Sequence, residues 1–245
     1  MPMMKDYLND SRAPRYSVLM ALPLLLLYEG LSFALNGSSY AGVRNGADVI
    51  LKSVFLSLGG TRGLLVFELI LLGTGAFLVW RDRRANRGPL VGRTFVLMMM
   101  ESAVYAVLFG LVVGKLTALV LGVPARLQIG GGKLDLPTQL VTSLGAGIYE
   151  ELLFRFLLTG GLVKLFMTLS SAGRTSASAA AVVLSALIFS GFHYVGSLGD
   201  TFTLQSFVFR AIAGLVFSGL FVTRGIGITA WTHALYDVML TVVQQ

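Results

Sequence analysis

About seven apolar runs, each close to the roughly 20 residues that carry a helix across a hydrocarbon core, fill this chain and leave it few folds. They are Tyr16–Leu35, Gly63–Trp80, Thr94–Gly122, Thr138–Leu169, Ser178–Leu198, Thr203–Thr223 and Ile226–Val243. Inside lipid every backbone amide and carbonyl needs a partner, and a helix supplies those partners within its own segment. The expected fold is therefore all-α, a polytopic transmembrane helical bundle. Composition agrees: 55% of residues are hydrophobic and 13% charged, with mean hydropathy +0.79, whereas soluble domains are about a quarter charged. Ala47–Leu58 is shorter, carries Asp48 and Lys52, and fits a short interfacial or re-entrant helix better than a span. The connections are short, so one bundle without a soluble domain is expected. Residues 1–15 form its N-terminal cytoplasmic segment, 16–137 its first helices and loops, and 138–243 the part that holds the chemistry.

Several function classes fall away. Without cysteine there is no disulfide, thiolate metal site or cysteine nucleophile. The polar stretch Met1–Arg15 and the apolar run after it lack a small-residue cleavage site, so the first hydrophobic segment reads as a retained helix. The net charge of +7 comes with no nucleic-acid-binding signature, and no nucleic-acid partner is expected. Its distribution reports orientation instead. Placing the N-terminus in the cytoplasm puts Lys5, Arg12, Arg15, the run Arg81-Asp-Arg-Arg-Ala-Asn-Arg87, Arg93, Lys164, Arg174 and Arg224 on or near the inner side. The opposite side receives only Arg44, Lys52, Arg62, Arg126 and Lys133, which favours the N-in arrangement.

Against this apolar background, charged residues in the spans mark function. Leu144-Gly-Ala-Gly-Ile-Tyr-Glu-Glu-Leu-Leu-Phe-Arg-Phe-Leu-Leu158 holds Glu150, Glu151 and Arg155 within two turns, and such groups must face a protein interior or a wet cavity. Residues four apart share a helix face while neighbours diverge by about 100°. Glu151 can therefore pair with Arg155, which leaves Glu150 as the candidate general base or acid. Both histidines of the chain follow in similar settings. Phe189-Ser-Gly-Phe-His193 and His233-Ala-Leu-Tyr-Asp237 each present their ends on one face. If the three faces converge, they supply a carboxylate, two imidazoles and an acid able to orient the second imidazole. That set could activate water and stabilise an oxyanion, or Glu150, His193 and His233 could ligate zinc. No His-Glu-x-x-His helix is present.

Order, spacing and helix placement of these three motifs resemble the CAAX-protease and bacteriocin-processing intramembrane peptidases, also called the Abi family or type II CAAX prenyl endopeptidases. The likeness covers roughly residues 138–243, through Glu150-Glu151-Leu-Leu-Phe-Arg155, Phe189-Ser-Gly-Phe-His193 and His233-Ala-Leu-Tyr-Asp237. It implies a multi-pass enzyme of a bacterial plasma membrane that cleaves a peptide or membrane-anchored protein, CAAX-prenylated or not. It also implies that Glu150 with His193 activates water, that His233 and residue 237 support the oxyanion, and that Glu151, Arg155 and Phe189 are supporting residues. Asp237 departs from the commoner Asn. An ionised aspartate repels an oxyanion, so it must be protonated, orient His233 or contribute to a metal site. The preferred expectation needs no cofactor, with zinc as the alternative.

Two other classes compete. A non-proteolytic scaffold or immunity protein would use the polar cluster only to hold the bundle, and a proton-coupled transporter would use it as a relay. No inverted repeat supports transport. Glu29, Glu68, Glu101 and Arg210 also fall in apolar runs, where interhelical hydrogen bonds are expected, with Glu101 the best placed to line a cavity. Counting depth at 1.5 Å per residue puts His193 near the outer end of its span and His233 about two turns from the inner end of its own, a mismatch that broken helices around a cavity would remove.

Overall fold

A computed structural model describes residues 2–36, 42–122, 134–169, 173–196 and 199–243. The helices in chain order are α1 (Pro2–Arg12), α2 (Pro14–Asn36), α3 (Gly46–Ala85), α4 (Gly92–Leu121) and α5 (Leu136–Gly145). A π-helical segment (Ala146–Thr159), α6 (Gly160–Leu169), α7 (Arg174–Phe192) and α8 (Leu204–Val243) complete the chain, and no strand occurs among the described residues. The boundaries follow local chemistry. Asn45 caps α3 by accepting the Ala47 N–H, α4 stops at Gly122 in the left-handed conformation, and α5 carries Pro137 in its first turn, where a missing N–H costs nothing. Arg126 and Lys133, assigned above to the outer side, and Leu198, the expected end of a span, lie outside the described residues.

Six helices among the described residues are long and apolar enough to cross a membrane, the segment from α5 through α6 counting as one. Two of them, α3 and α8, are 40 residues long and are hairpins. In α8 the chain reverses at Gly225 (φ 78°, ψ 175°). The rings of Phe217 and His233 then stack with centroids 4.3 Å apart, whereas a straight helix would hold them about 24 Å apart. Arms 204–224 and 226–243 are thus separate antiparallel spans, which restores seven. In α3 the reversal falls at Gly60 (φ 57°), and Phe55 meets Phe67 at 5.3 Å. The arm 46–59 is therefore re-entrant rather than interfacial. It folds back on 61–85, and Asp48 and Lys52, which suggested a surface helix, are buried. They join Arg44, Glu29 and Glu68 in an ion network, with Lys52 Nζ 2.6 Å from Glu29 and 2.9 Å from Asp48. A lone charge at that depth would cost several kcal/mol, and mutual pairing offsets that cost.

Polarity is arranged inside out relative to a water-soluble protein. Leu58, Leu119 and Val243 are each about 80% exposed, while Glu151, Arg155 and Thr229 are buried. Lipid offers apolar side chains no reason to hide, so the interior collects small residues and polar groups. Gly147 illustrates the packing, because a Cβ there would stand 2.5 Å from the Ala230 carbonyl oxygen. The two ends of the bundle can be told apart by contacts. At one end Arg15 pairs with Asp82 at 3.2 Å, and Arg224 pairs with Glu101 at 2.7 Å and donates to the Leu8 carbonyl. That end therefore holds α1, the start of α2, the α3–α4 connection and the Gly225 turn. The other end holds the start of α5 and residues 240–243.

Glu101 turns inward to the bundle and binds Arg224 and Tyr7, so it is an interhelical tie and is not among the residues that line the cavity described below. The depth mismatch has a simple source in unequal reach. From its start α7 climbs about 28 Å to His193, whereas His233 lies only about 12 Å from the Gly225 turn. The α6–α7 pair therefore extends past that turn, and the two histidines meet at one level. His193 is not within a span, as the expected Ser178–Leu198 helix required. It is the C-cap of α7, after which the chain turns through Gly196 at φ 93°.

Candidate active site

The π winding of Ala146–Thr159 presents the acidic pair to the bundle axis, a winding often found at functional sites. It also frees the Phe154 carbonyl, which accepts hydrogen bonds from the Thr159 and Ser185 hydroxyls. Glu150 and Glu151 are both buried and both address His233, because that ring spans the gap between them. His233 Nδ1 lies 2.8 Å from Glu151 Oε1 and donates to it. Its Nε2 then faces Glu150 Oε2 at 3.9 Å and Asp237 Oδ2 at 3.5 Å. On the opposite side His193 donates from Nδ1 to the Phe189 carbonyl at 2.9 Å and turns Nε2 towards Glu150 Oε2 at 4.0 Å.

Three atoms thus converge: Glu150 Oε2 and the two imidazole Nε2. Separations near 4 Å are too long for direct hydrogen bonds and suit a small polar molecule bonded to each. The group expected to orient His233 was Asp237. The structure gives the Nδ1 contact to Glu151 instead and leaves Asp237 beside the reactive nitrogen. Spacing along one helix favoured Asp237, and contacts between helices cannot be read from spacing.

Arg155 closes the floor. Its Nε stands 3.3 Å from Glu151 Oε2, and its guanidinium carbon lies 4.3 Å from the Phe189 ring centre and 5.4 Å from that of Phe217. Two aromatic faces take up a cation that is only 1% exposed. Phe189 touches the His193 ring edge-on at 4.9 Å as well, so one side chain packs against both a catalytic candidate and the buried cation.

Asn45 was missed by the sequence reading. Its Nδ2 donates to Glu150 Oε1 at 2.9 Å, while its Oδ1 caps α3. The Tyr28 hydroxyl accepts the Asn45 backbone N–H at 3.1 Å and donates to Asp48 at 2.7 Å, so the buried ion network anchors the amide that holds Glu150. The sequence did carry a signal, an Asn placed as N-cap before a short helix with two buried-type charges. Of the tyrosines beside the motifs, Tyr236 lines the cavity, Tyr194 binds Ser206 and Arg210 at its rim, and Tyr149 points away to Glu29.

Above these groups lies a cavity of about 360 Å³. Its floor is Glu150, Phe189, Phe217 and His233, and its walls rise past Phe109, Phe209 and Asp237 to Leu134, Val195 and Leu240. It opens at the end of the bundle away from α1. Arg210, bound to Asp200 and Tyr194, pins the rim. Among the described residues no group of three or more His, Asp or Glu side chains is placed to hold a metal ion.

One comparison bears on the class of protein that this bundle and its cavity belong to. Residues 133–239, somewhat under half of the chain, match the family described as Type II CAAX prenyl endopeptidase Rce1-like, a family of membrane peptidases. All three motifs lie inside the matched segment, whereas Asn45 lies before it. No curated protein and no solved structure matches the chain.

Proposed function

We propose that this protein is an intramembrane endopeptidase that hydrolyses a peptide bond in a membrane-associated protein or peptide, with Glu150 as general base. The observation that carries the reading is that His193 Nε2 and His233 Nε2 each stand about 4 Å from Glu150 Oε2 within one cavity of the helical bundle. A water at that point gives one proton to Glu150 as its oxygen attacks the scissile carbonyl carbon, and His193 Nε2 accepts its other hydrogen and fixes its direction. His233, carrying a proton on Nε2, donates to the oxyanion that forms. Collapse of the tetrahedral intermediate breaks the C–N bond, and Glu150 returns its proton to the leaving amine. Asp237 takes part as a neutral carboxyl group or by positioning His233.

Zinc is the alternative chemistry. Glu150, His193 and His233 would have to shift from their present positions to hold it, since as they stand they form no metal-binding group, and the ion would supply Lewis acidity. The donors suit it in kind, since each imidazole already has its second nitrogen fixed by an acceptor. The test is cleavage of membrane-anchored and prenylated fluorogenic peptides by purified protein, with and without chelator, beside Glu150→Gln. General acid–base catalysis is worth about 10²- to 10⁴-fold, so the variant should lose at least that much while keeping its fold. Wild-type rates surviving in chelator favour the glutamate route. Cleavage by Glu150→Gln at the wild-type rate would refute the assignment.

A further inference from the structure

The cavity and the cationic surface lie at opposite ends of the bundle. Every residue at the cavity mouth belongs to the end away from α1: Leu134, Val195, Gly199, Ser206, Leu240 and Thr241. The α1 end carries Arg81, Arg83, Arg84, Arg87 and Arg93 around a single short connection, all exposed. Arg84 lies over Trp80 at 4.2 Å and Arg81 over Phe77 at 6.0 Å, the pairing of aromatic belt and cation expected at a headgroup surface. At the cavity end Arg44 and Lys52 are ion-paired with the buried Asp48 and Arg210 with Asp200 at the rim, and among the described residues Arg62 and Lys115 are left as further cations. Short loops rich in Arg stay in the cytoplasm during insertion. The α1 end is therefore the cytoplasmic one, and the cavity faces the other way.

We infer that the site is entered from the extracytoplasmic side. Its substrates are then translocated polypeptide segments that border the outer leaflet, such as the external flank of a membrane anchor or the remnant of an export signal. Cytoplasmic prenylated tails are on the wrong side of the bilayer. The cavity chemistry fits such a segment. Phe109, Phe192, Phe209 and Phe217 form an aromatic pocket beside Glu150 able to take an apolar side chain next to the scissile bond, and the polar rim at Ser206 and Asp200 meets the hydrated flank. The substrate class rests on the peptidase reading, whereas the side of entry does not.

The absence of cysteine makes the test direct. Val195→Cys at the cavity rim and Asn86→Cys at the opposite end, both exposed positions, are expressed singly and treated with a membrane-impermeant maleimide in intact cells. The Val195→Cys protein should label in intact cells, and the Asn86→Cys protein only after permeabilisation. The reverse pattern overturns the inference even if the protein proves to be a peptidase. In parallel, two single-span reporters carry the same apolar cleavable segment, one on the external flank and one on the cytoplasmic flank. Cleavage of the external reporter alone, lost in Glu150→Gln, supports the substrate class. Cleavage of the cytoplasmic reporter overturns it. Labelling as expected with neither reporter cut leaves the topology standing and removes the substrate class together with the peptidase reading.

Discussion

Replacing Asn45 by serine separates two tasks that one side chain performs. Its Oδ1 caps α3 and its Nδ2 holds Glu150 Oε1 at 2.9 Å in a buried setting. Serine is as good a cap as asparagine, so Asn45→Ser should stay within about 1 kcal/mol of wild-type stability. It is too short to reach Glu150. A hydrogen bond to a charged group contributes about 1.5–3 kcal/mol, and if that energy orients the base in the transition state, kcat/KM falls by roughly 10- to 150-fold. The loss should lie in kcat, since Asn45 orients the base and is not assigned to substrate binding. Asn45→Ala removes the cap as well and should add about 1 kcal/mol of destabilisation. The assay is steady-state cleavage of a membrane-anchored fluorogenic peptide, paired with thermal unfolding in detergent. An Asn45→Ser protein that folds normally and cleaves within twofold of wild type would refute the positioning role.

Three further expectations follow from the geometry. Arg155→Ala leaves Glu151 buried without its cation and should destabilise the fold by about 3–5 kcal/mol, while Arg155→Met combined with Glu151→Gln should regain much of that in thermal unfolding. Gly225→Ala forces a Cβ into a positive-φ turn where it would stand 2.6 Å from Ser17 Oγ; a loss of about 1–3 kcal/mol is expected, checked by the midpoint of thermal unfolding. Asp237→Asn keeps the shape beside His233 and adds an N–H donor near the developing oxyanion, so cleavage should persist within about tenfold of wild type, whereas Asp237→Ala should lose more than that when kcat is compared.

The seven spans and the three motifs were legible because both depend on local pattern. Hydropathy over 20 residues reports burial in lipid, and a charge within such a run is costly enough to stand out. Glu150, Glu151, Arg155, His193, His233 and Asp237 meet in space for that reason. Relations between helices were not legible. The approach of Glu151 to His233 depends on π winding and on how two spans pack, and neither leaves a mark in spacing. Asn45 escaped because a polar residue outside a span carries no desolvation signal. For the arm after it the sequence left interfacial and re-entrant readings open, because Asp48 and Lys52 look like surface charges until Glu29, Arg44 and Glu68 are seen to neutralise them.

The groups around Glu150 come from parts of the chain far apart in order of synthesis. Asn45 emerges early, His193 much later, and His233 in the final arm, which can reach Glu150 only after the chain has reversed at Gly225. Until that last arm is inserted, Glu150 has neither the imidazole that completes the site nor the wall that closes the cavity. A chain that lacks its last arm therefore lacks His233 and Asp237 beside Glu150. If the site is catalytic as proposed, closure of the hairpin at Gly225 is the last step that assembles it, and activity would follow completion of the chain rather than accompany its synthesis.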